Sequence, residues 1–84
     1  MHNNLSVVPR NVAVVARGET QILLGKFASS YKLKGFSVQV QPESLPDGDV
    51  STQVVRIDGS DGYSMYMHVV NYSDKKIRLH IDEV

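Results

Sequence analysis

The residues of this chain that could do chemistry are few. Three histidines are present, His2, His68 and His80. None stands at ligand spacing from another histidine, or from a carboxylate pair on a common element. His68 and His80 fall on two neighbouring alternating runs and would face each other if those runs form a hairpin, but two imidazoles leave unfilled the further ligands that zinc takes. Cysteine is absent, which removes a thiolate zinc site, a cysteine nucleophile and a disulfide framework together. No metal site and no cofactor are expected.

The acidic loop Asp58-Gly59-Ser60-Asp61-Gly62 has the composition of part of a calcium loop. It lacks the D-x-D-x-D-G spacing and the distant bidentate glutamate, so its two Asp-Gly pairs read as hairpin-turn residues. No G-x-S-x-G elbow, no glycine-rich phosphate loop before a helix and no D-[ST]-G triplet occurs, and the serines lie mainly in turns. Asn4-Leu5-Ser6 and Asn71-Tyr72-Ser73 satisfy the glycosylation pattern. With nothing else marking a secreted chain, Asn71 and Asp74 read as turn residues, whose short polar side chains bond nearby backbone.

Two groups of cations stand out, Lys26, Lys32 and Lys34 in one stretch and Lys75, Lys76 and Arg78 in another. They are the candidates for contact with nucleic acid or another partner. Nine basic residues balance nine acidic ones, so no global field draws the chain to a polyanion or an anionic membrane, and nucleic-acid binding is expected to be weak at best. The plain reading of these lysines is solvated side chains.

The elements that must position these residues follow a period of two. From Tyr63 to Val84 the chain holds two alternating runs around a short polar break, which reads as a single β-hairpin and as the packing centre of the domain. Ile77, Leu79 and Ile81 point one way, and Lys76, Arg78, His80 and Asp82 the other. Met65, Met67 and Val69 alternate with Tyr66, His68 and Val70, so both faces carry sizeable side chains, as in a strand inside a sheet or barrel wall.

Upstream, Leu5 to Val8 begins a strand that Pro9 interrupts, and Asn11 to Ala16 reads as a buried strand. Arg17-Gly18-Glu19-Thr20 is a turn in which Gly18 is expected to supply a positive φ. Gln21 to Leu24 is a strand with Gly25 at its end or at a bulge, and Lys26 to Gly35 reads as a loop or short edge strand. Phe36 to Gln41 alternates strictly and stops at Pro42. Glu43 to Asp49 is a polar turn with room for one turn of 3₁₀ helix, and Val50 to Ile57 is the next strand.

Six to seven short, mainly antiparallel strands without a helical period predict an all-β fold, a small barrel or a sandwich, formed by residues 1–84 as a single domain. Residues 1–4 are expected to fray. At 84 residues the core is sufficient but not generous, so self-association could matter for stability. The absence of a long apolar run or a signal-peptide core predicts a segment that does not enter a membrane and works in the cytoplasm.

Three stretches, in order, resemble one family. They are LSVVPRNVAVVARGE, GFSVQVQPESLPDG and MHVVNYSDKKIRLHIDEV, the last with a V-V-N-x-[ST]-x-x-x-[IV]-x-[LI] pattern. Together, across nearly the whole chain, they resemble the dUTPase-like β-domain between protease and reverse transcriptase in Pol polyproteins of gypsy-type LTR retrotransposons. The resemblance implies a dUTPase-like fold, homo-oligomers and contact with neighbouring polyprotein domains. It also implies that Asp58 and Tyr63 stand near the places of a catalytic motif.

That motif is interrupted by an insertion and by Arg56, no R-S-S triplet occurs, and the chain ends at Val84 before a glycine-rich arm. Asp58 and Tyr63 are therefore vestigial candidates, and no dUTPase activity is expected. A rival resemblance, carried by Leu5-Ser6-Val7-Val8-Pro9 and Gly18-Glu19-Thr20, is to bacterial Ig-like modules and implies an adhesive or spacer role. No buried Trp or tyrosine corner supports it. A third reading, residual nucleotide hydrolysis through Asp58 and Tyr63, completes the set.

Overall fold

The computed structural model describes residues 10–46 and 48–84, with Arg10 described by its backbone. The readings for residues 1–4, for the strand at Leu5 to Val8 and for Pro9, together with His2 and Asn4, lie outside the described residues. Six strands form in chain order: β1 (Arg10–Val14), β2 (Glu19–Ala28), β3 (Phe36–Gln41), β4 (Val50–Asp58), β5 (Gly62–Asn71) and β6 (Ile77–Glu83). No helix occurs among the described residues.

The strands make two three-stranded sheets, which we call sheet A (order β2-β5-β4) and sheet B (order β1-β6-β3), and every pairing is antiparallel. The fold is all-β, an open sandwich and not a closed barrel. The inward faces of the two central strands meet in the core. Met65, Met67 and Val69 of β5 lie opposite Ile77, Leu79 and Ile81 of β6, with Ile22, Leu24, Phe27 and Val14 around them. Leu24, Met67, Ile77, Leu79 and Ile81 are fully buried, each contributing about 1.5–3 kcal/mol of transfer free energy.

The stretch Tyr63 to Val84 is thus the centre of the fold, but not as a hairpin. β5 and β6 lie in different sheets and do not pair. Two apolar faces of equal strength bury more surface facing each other across a sandwich than lying side by side with one face wet. The same applies at Arg17-Gly18, which carries the chain from sheet B to sheet A instead of closing a hairpin. There the left-handed residue is Arg17, at φ 59°, while Gly18 has no positive φ. A Cβ at Gly18 would lie 2.7 Å from Val15 Cγ2 and 3.1 Å from the Val15 carbonyl oxygen, so a larger residue there would have to push the exposed Val15 side chain aside. Among the described residues the one hairpin within a sheet is β4–β5, across the Asp-Gly loop.

Other boundaries move for local reasons. β2 does not end at Gly25. A bulge between Leu23 and Gly25 absorbs one residue, and the strand continues to Ala28, so that Lys26 pairs with Ser64 and Phe27 with Tyr63. β1 stops at Val14, leaving Val15 65% exposed, and only one face of β1 is covered. β3 keeps the expected limits, and Glu43 to Asp49 contains turns without a 3₁₀ helix among its described residues.

Candidate functional site

At one end of the sandwich the sequence candidates Asp58 and Tyr63 are brought together, as cross-strand partners of β4 and β5. Gly62 lets β5 close on β2 there, since a Cβ on it would sit 2.3 Å from the Phe27 carbonyl oxygen. Tyr63 is buried and its hydroxyl donates to the Tyr31 carbonyl at 2.8 Å. Phe27 stacks between the Tyr31 and Tyr63 rings, with centroids 5.1 Å and 5.4 Å away.

Arg56 covers the outer side of this stack. Its guanidinium carbon lies 4.0 Å from the Tyr63 ring centroid, and its Nε donates to Asp58 Oδ1 at 2.8 Å. Both partners are more than half exposed, so the ion pair contributes about 0.2–1 kcal/mol and the cation–π contact about 0.5–1 kcal/mol. On the other side the Tyr31 hydroxyl donates to the Glu83 carboxylate. That bond stabilises the neutral phenol and raises the Tyr31 pKa above its ordinary value, helped by partial desolvation and the nearby negative charge. Tyr31 and Glu83 carry no motif, and reading Lys26 to Gly35 as a loop or short edge strand gave no sign of this aromatic stack.

The cleft beside Asp58 is shallow, lined by Lys26, Ile57, Asp58, Asp61 and Tyr63 with the loop glycines. Oδ1 of its carboxylate is paired with Arg56 and its tyrosine hydroxyl donates to a backbone carbonyl. No group of three or more His, Cys, Asp or Glu side chains able to hold a metal occurs among the described residues. The two histidines do not face each other. His68 lies on the outer face of sheet A, with Nε2 3.2 Å from Glu19 Oε2, and His80 on the outer face of sheet B, with Nδ1 3.0 Å from Asn11 Oδ1. They separated because β5 and β6 separated.

The opposite end is closed by Asn71, fully buried. Its Nδ2 donates to the carbonyls of Lys75 (2.8 Å), Val15 (3.0 Å) and Val14 (3.3 Å), and its Oδ1 accepts from Ser73 N (3.0 Å) and Ser73 Oγ (2.7 Å). The Arg17 amide donates to the Ser73 carbonyl and the Asn71 amide to the Gly18 carbonyl. One amide side chain therefore ties the β5–β6 crossover to the β1–β2 crossover, which the reading of Asn71 as a turn residue only half foresaw. Asn71 and Ser73 of the N-x-S triplet are buried, and Tyr72 between them is exposed.

The cations do not converge. Lys26 is on the outer face of sheet A, and Lys32 and Lys34 are in the β2–β3 loop. Lys75 and Lys76 are in the β5–β6 crossover, and Arg78 is on the outer face of sheet B. The two groups sit at opposite ends of β5, whose ten residues span roughly 30 Å.

What is continuous is apolar. Leu23, Tyr66 and Val55 stand side by side across the outer face of sheet A, in register on β2, β5 and β4, with Ile57 next to Val55 on β4 and the polar row Gln21, His68 and Gln53 on the other side. Ile57 is 51% exposed, and no described element packs over this face. Sheet B also leaves most of β4 uncovered on its inner side, where Thr52, Val54, Arg56 and Asp58 are exposed and only Val50 reaches the core.

Compared with known proteins, the chain matches no family model, no curated protein and no solved structure. No helix among the described residues is long and apolar enough to cross a membrane.

Proposed function

We propose that this chain is a non-catalytic, self-associating structural domain, of the kind that the dUTPase-like segment of gypsy-type Pol polyproteins represents. The observation that carries the reading is the apolar belt Leu23–Tyr66–Val55 across sheet A, joined to a β4 strand left open on both faces. A small sandwich that leaves such a surface in water gains by covering it, and its zero net charge offers no repulsion between copies. The pairing of Asp58 Oδ1 with Arg56 and the engagement of the Tyr63 hydroxyl with the Tyr31 carbonyl support the non-catalytic reading.

Sedimentation velocity from micromolar to millimolar concentration tests the association, and a chain that stays monomeric throughout would remove it. The non-catalytic part predicts no pyrophosphate release from dUTP with Mg²⁺. Release that Asp58→Asn abolishes would overturn that part. The open two-sheet form favours a second reading, an Ig-like spacer, over a closed barrel. Tandem copies beside this segment in the parent protein would decide for the spacer, and a flanking protease and reverse transcriptase for the polyprotein domain.

A further inference from the structure

The sheet edges of this sandwich are not equivalent. β1 has five residues, β3 has six and stops at Pro42, and β2 is broken by its bulge. β4 is nine residues long and pairs with β5 without a shift from Val50 to Asp58. Its sequence, VSTQVVRID, holds no proline, glycine or lysine, and the edge-blunting device it does carry, a pair of inward-pointing charges at Arg56 and Asp58, is confined to one end of the strand. Its two charges, Arg56 and Asp58, neutralise each other. Among the described residues nothing lies on its outer edge.

Resting on the self-association reading above, we propose that two copies of this chain pair β4 to β4, antiparallel about a two-fold axis through Val54. The two copies of sheet A then form one six-stranded sheet. Residues opposed in an antiparallel ladder point to the same face, so a two-fold between identical strands must pass through a residue. Val54 is the midpoint of β4, and only that choice pairs every residue of the strand.

On the inner face Val54 then meets the partner's Val54, Thr52 meets the partner's Arg56, and Val50 meets the partner's Asp58. On the outer face Gln53 meets the partner's Val55, and Ser51 meets the partner's Ile57. The charged half of each strand lies against the uncharged half of the other. A parallel pairing in register would set Arg56 against Arg56 and Asp58 against Asp58. Val55 lies diagonal to the partner's Val55, so the two belts Leu23–Tyr66–Val55 join into one surface. The two-fold closes the assembly at a dimer, because it uses the open edge of both copies.

The test uses the full chain and three substitutions at Val54, whose 43% exposure allows replacement without opening the core. The wild type should dimerise reversibly in sedimentation velocity. Val54→Lys and Val54→Glu should each weaken association by roughly tenfold or more, because like charges would meet at the axis. An equimolar mixture of the two should restore a dimer of one Lys and one Glu chain, and circular dichroism should show all of them folded. Gln39→Lys, on the outer face of sheet B, should leave association unchanged.

In Val54→Cys, otherwise free of cysteine, a nitroxide on each copy should show dipolar broadening that disappears on dilution with unlabelled protein. A monomeric wild type would remove self-association and this pairing together. A dimer that survives Val54→Lys, a mixture that restores nothing, or a dimer without broadening would leave self-association standing and overturn the β4 pairing about Val54.

Discussion

Asn71 is the side chain on which both crossovers depend. Its amide serves three carbonyls and its oxygen serves two donors on Ser73, all in a site closed to water. Asn71→Ala would leave the Ser73 amide without its partner and take one bond each from the Val15 and Lys75 carbonyls, which keep the Gly18 amide and the Ser73 hydroxyl as donors. Each such loss costs about 1–3 kcal/mol. Urea denaturation should therefore show a loss of about 3 kcal/mol or more, a large share of what a domain of this size has. Ser73→Ala should cost less, since it removes only the hydroxyl that Asn71 Oδ1 and the Lys75 amide share.

Tyr31 gives a pH signature. Its phenol is stabilised in the neutral form by donation to Glu83 in the folded chain, and its pKa is raised. A raised folded value means the contribution to stability is whole below the ordinary phenol range, about pH 10, and is lost as pH rises through the folded value. The difference in stability between wild type and Tyr31→Phe should be flat from neutrality up to that range and should narrow above it. Denaturation at a series of alkaline pH values checks this, and absorbance at 295 nm should show one upward-displaced phenol titration missing in the variant.

At the scale of elements, the pairing of β5 with β2 depends on a close approach that only glycine permits. Gly62 faces the Phe27 carbonyl, part of the β2 backbone, and backbone cannot rotate aside as a side chain would. Gly62→Ala should destabilise by about 1–3 kcal/mol, the usual cost of overpacking. The strain should appear first as faster amide exchange at the Phe27–Tyr63 end of sheet A, with the Asn71 end still protected. A uniform loss of protection along β5 would argue that the contact is relieved by a rigid shift of the whole strand.

At the scale of the molecule, charge placement decides the weaker partner question. With Lys26, Lys32 and Lys34 at one end, Lys75 and Lys76 at the other, and a net charge of zero, few phosphates can be neutralised at once. Fluorescence anisotropy with a labelled single strand should detect at most weak binding at low salt, lost at physiological salt. Retention of binding at physiological salt would contradict this picture of scattered cations.

The sequence by itself determined the local grammar. β3, and the alternation of β5 and β6, were legible because one wet and one dry face impose a period of two on the residues themselves. The Asp-Gly loop announced the β4–β5 hairpin. Tertiary structure alone decided which strands share a sheet. The same alternation serves a hairpin and a crossover between sheets, and the choice falls to packing across the core, where Met65, Met67 and Val69 meet Ile77, Leu79 and Ile81. That choice parted His68 from His80 and made the Asn71 turn a buried clasp. It also set Leu23, Tyr66 and Val55 side by side on sheet A. A belt across three strands joins residues far apart in the chain, and only the pairing register brings them together.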